Sequence, residues 1–248
     1  MQMVTLNKDD IYQGPLVLVN HNYPIANNYQ ITNCSTAKDS TISLEKTAME
    51  MLTKALQEIK AEDKIVLVSG LRSGQEQAMI YNQAIQNHGK EFVDKFVARV
   101  NCSEHQTGLA IDLAVKNETI DIFCPDFTSQ EICQQFRDIA SDYGFIQRYS
   151  KIDFTKISEE PWHFRYVGIV HAKIMEENQW CFEEYHLYIK NHSIFNPYVL
   201  DCQGKLVEVF YVPAVNEQTK LNLSDHGSYQ ISGNNCDGFI ITSWRPYV

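Results

Sequence analysis

No run of apolar residues in this sequence is long enough to span a bilayer; the longest, such as Ile65 to Val68, are strand-length. The opening M-Q-M-V-T-L-N-K-D-D lacks the basic start and apolar stretch of a secretory signal. Positive charge is scarce: 21 Lys and Arg stand against 31 Asp and Glu, a net −10 at pH 7. That excess argues against nucleic acid and against an anionic membrane surface, both of which call for a basic face. An anionic substrate would need a local cation to receive it. The seven cysteines (Cys34, Cys102, Cys124, Cys133, Cys181, Cys202 and Cys236) are odd in number, scattered and without a C-x-x-C, so reduced thiols fit better than a disulfide framework. The expectation is a cytoplasmic protein with no membrane segment and no nucleic-acid partner. Several catalytic signatures are missing too: H-E-x-x-H, a Walker loop, G-x-G-x-x-G and G-x-S-x-G. Repeats and low-complexity tracts are absent.

What is present is an ordinary globular composition, 44% hydrophobic over 248 residues, enough to bury a core without disulfides. P-L-V-L-V-N (Pro15 to Asn20) reads as a strand. Leu44, Ala48, Met51, Ala55 and Ile59 recur at helical spacing, so residues 44–60 read as an amphipathic helix. K-I-V-L-V-S-G is a buried strand ending at Gly70. Ser73 with Glu76 three residues on is a capping box, which predicts a helix from Ser73 towards His88 and leaves Arg72 at the junction. Further helices are expected around 91–99, 126–142 and, in one or two pieces, 170–190. V-E-V-F-Y-V, S-Y-Q-I-S-G and G-F-I-I-T-S-W give the last fifty or so residues a β character around Asn-Asn and Asp-Gly turns. The chain reads as α+β, with a central antiparallel sheet flanked by helices and a small β-rich C-terminal portion. The expected division is 1–190 and 191–248.

Two stretches carry candidate chemistry. In S-E-H-Q-T-G-L-A-I-D-L, alternation along a strand puts Leu109, Ile111 and Leu113 in the core and Gly108, Ala110 and Asp112 on the other face. His105 lies in the polar loop upstream, and a turn at Gly108 would bring it back towards Asp112. Alone, such a pair is more often a structural hydrogen bond than a metal site. In S-E-E-P-W-H-F-R-Y-V-G, His163, Arg165 and Val167 share one strand face, with Trp162, Phe164 and Tyr166 on the other. His163 could be packed among aromatics, with Glu160 at the surface. Together, however, the stretches offer two imidazoles and one carboxylate, the ligand set of a catalytic zinc with an open fourth position, and a further glutamate to serve as base.

S-E-H-Q-T-G-L-A-I-D matches S-x-H-x-x-G-x-A-x-D, and E-P-W-H matches E-x-x-H, of the zinc D-alanyl-D-alanine peptidases, the VanX, VanY and VanXY proteins of vancomycin resistance. S-G-L-R-S…Q…Y resembles that family's arginine segment, and the C-terminal Y-Q-I-S-G-N-N-C-D-G-F-I-I-T-S-W resembles the tail of the VanY and VanXY types. The resemblance implies one Zn2+ held by His105, Asp112 and His163, with Glu160 as general base and Arg72 as the cation beside the scissile carbonyl. A structural ion pair is the other reading of Arg72. Ser103 would hold the substrate's terminal carboxylate, or merely cap a loop. Gln77 and Tyr81, one helical turn apart, would approach the substrate, although helix packing explains Tyr81 equally well. Trp162 would wall the pocket or belong to the core.

Within the family the sequence is nearest the VanXY type, which implies D-Ala-D-Ala dipeptide and peptidoglycan precursor peptides as substrates. The alternatives are a strict D,D-carboxypeptidase, a peptidoglycan-binding zinc module without catalysis, and a wall endopeptidase. Retention of Glu160 and Arg72 favours an enzyme over the binding module, and the acidic chain disfavours the endopeptidase. The segment between Tyr149 and Glu160 is expected to cover the site.

Overall fold

The structure, a computed structural model, describes residues 2–31, 33–128, 130–150, 157–223 and 227–245. The chain divides into two compact units: Val19–Ile25 with Gln30–Cys181, and Met1–Leu18 with Ala26–Tyr29 and Phe182–Val248. This partition differs from a boundary at residue 190, because the first strand, β1 (Gln2–Asn7), finds its partner near the other end of the sequence.

The larger unit begins with the hairpin β2 (Cys34–Thr36) and β3 (Ser43–Glu45), which runs into α1 (Lys46–Glu58). The Glu45 carboxylate accepts the Ala48 N–H at 3.0 Å and starts the helix. The buried face of α1 is Ala48, Met49, Leu52, Ala55 and Leu56. Then follow β4 (Ile65–Ser69), α2 (Gly74–His88), α3 (Lys90–Phe96), β5 (Ala110–Val115), α4 (Glu131–Ile139), β6 (Phe145–Gln147), β7 (His163–Tyr166) and α5 (Ile169–Asn178). The capping box forms as its spacing predicts: Ser73 Oγ accepts the Glu76 N–H, and Glu76 Oε2 accepts the Ser73 N–H at 2.7 Å.

The strands form an antiparallel sheet in the order β4-β5-β7-β6. One face carries Leu109, Ile111, Leu113, Trp162, Phe164 and Tyr166 into a core shared with Leu52 of α1 and Phe136 of α4. Phe127, Phe136 and Phe164 meet edge to face there. Each fully buried ring contributes roughly 1.5–3 kcal/mol of transfer free energy, which fixes the sheet's facing. A register slip of one residue would send Asp112 and His163 into that apolar layer.

The second unit contains β1, α6 (Phe182–Ile189), β8 (Tyr198–Cys202), β9 (Lys205–Pro213), β10 (Gln218–Leu223), β11 (Ser228–Gly233) and β12 (Gly238–Arg245). Four strands make an antiparallel sheet ordered β11-β12-β9-β8, and β1 pairs with β10. Leu6, Ile11, Phe210, Leu223, Phe239 and Ile241 form its core. The expected strand at Pro15–Asn20 does not form. Leu16, Val17 and Leu18 are buried, but their backbone is held by scattered partners rather than a ladder: the Leu16 N–H donates to Ser232 Oγ at 2.9 Å, and Asn235 Nδ2 donates to Leu18 O at 2.8 Å. An apolar run signals burial, and here burial came without a neighbouring strand. Asn234 organises the turn between β11 and β12 by accepting the N–H groups of Cys236, Asp237 and Gly238 at 2.9, 3.0 and 3.0 Å. Among the described residues no disulfide forms. Among the described residues no helix is long and apolar enough to cross a membrane.

Candidate active site

The sheet delivers two of the candidate ligands by register. Asp112, in the middle of β5, lies directly opposite His163 at the start of β7. His105 arrives from a short 3-10 turn, Glu104–Thr107, that ends at Gly108 in the left-handed region (φ +73°). Only glycine takes that conformation without strain, and any Cβ there would also lie 3.3 Å from the Glu45 nitrogen. The result is a buried cluster in which ligand atoms of His105, Asp112 and His163 all lie within 4.8 Å of one another. Asp112 is the hub. Its Oδ2 is 3.0 Å from His105 Nε2 and 2.9 Å from Arg72 Nη2, and its Oδ1 is 2.8 Å from His163 Nδ1. Ligands of a tetrahedral zinc sit about 2.0–2.2 Å from the ion and hence roughly 3.4 Å apart, so small adjustments would seat one.

The electrostatics fit a cation at that point. His105 Nδ1 lies 2.7 Å from the Gly70 carbonyl, which can only accept, so Nδ1 carries the proton. Burial, reinforced by the Arg72 guanidinium, depresses His105 to about 4. A neutral His105 therefore turns the lone pair of Nε2 towards the Asp112 carboxylate, an arrangement that calls for positive charge between them. Burial works against the Asp112 charge, yet its carboxyl lies well below the usual carboxylate range, and with His105 neutral the protonated His163 is the imidazole that holds it there. His163 shows the opposite balance: burial pulls it down, but its bonds to Asp112 and Glu104 outweigh this and carry it up to about 9. Imidazole, carboxylate and imidazole are the borderline and hard donors that zinc accepts.

Glu160 is buried beside this cluster, with Oε2 4.0 Å from His163 Nδ1. Burial raises its carboxyl to about 8; His163 resists the shift and Asp112 reinforces it. Arg72 is fixed by Nε on Ser69 Oγ at 2.7 Å and by Nη1 on Gln77 Oε1 at 3.3 Å, as well as by Asp112. Arg72 thus pairs with Asp112 and at the same time lines the cavity over the cluster.

That cavity, of about 200 Å3, is lined by Arg72, Gln77, Ser103, Glu160 and Trp162 together with the triad, so eight of the nine residues singled out in the sequence meet there. Tyr81 does not. It lines a neighbouring cavity of about 400 Å3 with Lys90, Lys95 and Arg99. Gln77 is buried and donates through Nε2 to Ala98 O at 2.7 Å, so the helix face it shares with Tyr81 serves packing at one end and another cavity at the other. Most of the segment expected to cover the site, residues 151–156, lies outside the described residues.

Sequence reasoning passed over Glu104, Arg148 and Tyr149. Glu104 is fully buried, with Oε1 2.8 Å from Arg148 Nε and Oε2 3.3 Å from His163 Nε2. The neighbouring arginines Arg148 and Arg165, working against burial, hold its carboxyl far below its ordinary range. One signal was available: strand alternation puts Arg165 on the His163 face, and a buried guanidinium needs an acid.

An antiparallel sheet presenting histidine and aspartate on adjacent strands, with a second histidine from the preceding turn, is the VanX/VanY-type architecture. The chain belongs to the VanY family of D-alanyl-D-alanine carboxypeptidases, whose family model matches residues 41–169. It is 36% identical over 179 residues to the bifunctional D-Ala-D-Ala dipeptidase and D-Ala-D-Ala carboxypeptidase VanXYC of Enterococcus gallinarum, covering 70% of this chain and 94% of that one. The vancomycin-resistance D,D-dipeptidase VanXYg, crystallised with a D-Ala-D-Ala phosphinate analogue, superposes with a TM-score of 0.94 at 44% identity, over 98% of this chain and 99% of that one. A VanY D,D-pentapeptidase from a VanB-type resistance cassette, solved with Zn(II), gives a TM-score of 0.61 at 26% identity, over 69% and 98%.

Proposed function

We propose that this protein is a zinc-dependent peptidase that hydrolyses the D-Ala-D-Ala bond, both in the free dipeptide and at the end of peptidoglycan precursor pentapeptides, and so removes the target of vancomycin. The observation that carries this reading is the convergence, in one cavity, of the buried His105–Asp112–His163 cluster with Glu160 and Arg72. The likeness to the bifunctional VanXYC supports the dual substrate range, and the near-complete superposition on the D,D-dipeptidase VanXYg supports the dipeptide half of it. Zinc bound by the cluster would supply Lewis acidity, polarising the scissile carbonyl and bringing a water's pKa to about 7.

The chain's own groups then divide the remaining work. Glu160 accepts a proton from the attacking water on its carboxylate and returns it to the amine nitrogen of the departing D-alanine. Burial raises this carboxyl in the metal-free site, and the charge of a bound cation would offset that rise, leaving Glu160 ionised to accept the proton and basic enough to hold it until it is returned. The Arg72 guanidinium donates to the oxyanion that develops on the scissile carbonyl. Ser103 offers its hydroxyl to the substrate's terminal carboxylate, and Gln77 and Trp162 shape the wall. Seven scattered cysteines, with no disulfide among the described residues, fit a reducing, cytoplasmic location.

The test is D-alanine release by the purified, zinc-loaded protein on D-Ala-D-Ala and, in parallel, on a muramyl pentapeptide ending in D-Ala-D-Ala. Release from both is expected. Release from the pentapeptide alone would make it a strict carboxypeptidase, and release from neither, with zinc bound, would discard the reading.

A further inference from the structure

Glu104 takes no part in the reactions just described, yet it is among the most expensively placed side chains in the chain. Its carboxylate is fully buried, and Arg148 and Arg165 beside it are buried as well. Removing each such ion from water costs several kcal/mol, and packing alone would be served as well by apolar side chains. The three residues come from separate segments: the turn that carries His105, the residue after β6, and β7 two positions beyond His163. They converge on one imidazole. Glu104 Oε1 receives Arg148 Nε at 2.8 Å and lies 3.5 Å from Arg165 Nη1, which leaves Oε2 turned to His163 Nε2 at 3.3 Å. Arg148 also covers the Tyr149 ring, whose centroid is 5.1 Å from that of His163 at an interplanar angle of 31°.

Two guanidiniums keep Glu104 ionised, and an ionised carboxylate can only accept. The proton therefore belongs on Nε2 of His163. The other nitrogen, Nδ1, is the one turned to Asp112 at 2.8 Å and to Glu160 at 4.0 Å. We propose that Glu104, clamped by Arg148 and Arg165, is a positioning residue that holds the Nε2–H of His163, reserving Nδ1 for the metal and strengthening it as a donor. The two imidazoles are thereby anchored differently: His105 through a neutral main-chain carbonyl, and His163 through a charged acid. The inference rests on the zinc reading above, and its test separates the two.

Zinc content of the wild-type protein comes first; about one ion per chain sustains the zinc reading, and none would remove it together with this inference. Long-range 1H–15N spectra of the zinc-loaded wild type should then show His163 protonated at Nε2 and not at Nδ1. The reverse assignment overturns the positioning role while leaving the zinc reading intact, and it needs no variant. Glu104→Gln keeps the volume but loses the charge. It should weaken zinc affinity about 10–100-fold and speed exchange of the Nε2 proton. A folded Glu104→Gln protein with wild-type zinc affinity and an unchanged Nε2 resonance would overturn the proposal.

Discussion

The two units each build a four-stranded antiparallel sheet, and the polar groups they bury are differently weighted. Behind β5 and β7 the buried set is ionic: Glu104, His105, Asp112, Arg148, Glu160, His163 and Arg165. Around β11 and β12 it is neutral: Ser232, Asn234, Asn235 and Thr242. Among the described residues Glu183 and His186 on α6 are the ionisable members of that unit's buried set, and both ring nitrogens of His186 lie 2.8 Å from main-chain carbonyls. Amides and hydroxyls stitch a turn at little electrostatic cost. Buried ions are a poor way to stabilise a fold. Their concentration around one sheet sets the residues of the candidate chemistry apart from those that shape the second unit.

The contrast can be tested from its strongest consequence downward. Glu160→Ala should cut turnover by about 10²–10⁴-fold with zinc content still near one per chain, because it removes the base and leaves the cluster. Full activity with bound zinc would dismiss Glu160 as base. Next, zinc affinity should depend on pH. With His163 raised to about 9 in the metal-free protein, its Nδ1 must shed a proton before ligating, so affinity should fall as pH drops below 9, by about tenfold per unit or more. Titration calorimetry at pH 6, 7 and 8 in buffers of differing ionisation heat would report that proton; a flat affinity would contradict the charge balance described. Last, Asn234→Ala in the neutral set strands three N–H groups and should cost about 1–3 kcal/mol of stability in a denaturant melt. Turnover per folded molecule should not change, and a loss of activity as large as that of Glu160→Ala would erase the distinction between the two sets.

Much of the ionic set was legible because strand alternation and short-range chemistry are local. Leu109, Ile111 and Leu113 declared the core face of β5, which left Asp112 facing the other way, and Ser73 with Glu76 declared the start of α2. Glu104 was not legible, although it sits between Ser103 and His105. Its burial depends on Arg148, 44 residues away, and no periodicity encodes that meeting. The place of Tyr81 was hidden for a related reason: helical spacing puts it one turn from Gln77 but does not say which cavity each enters. Pro15–Asn20 has a strand's composition, yet pairing needs a partner edge, and the side chains of Ser232 and Asn235 take that role. The β1–β10 ladder joins residues more than two hundred apart, beyond the reach of any window read along the chain.

That ladder also sets a timetable. Asn7 pairs with Gln218 and Gln2 with Leu223, so β1 leaves the ribosome long before its partner exists. At a typical 5–20 residues per second the wait is about 10–40 s, far longer than a strand needs to find a wrong neighbour. Residues 30–181, by contrast, are contiguous and can close around the triad while β10 is still untranslated. During synthesis, then, the residues of the candidate chemistry are all present before the ends of the chain can meet, and the first strand waits as an unpaired edge.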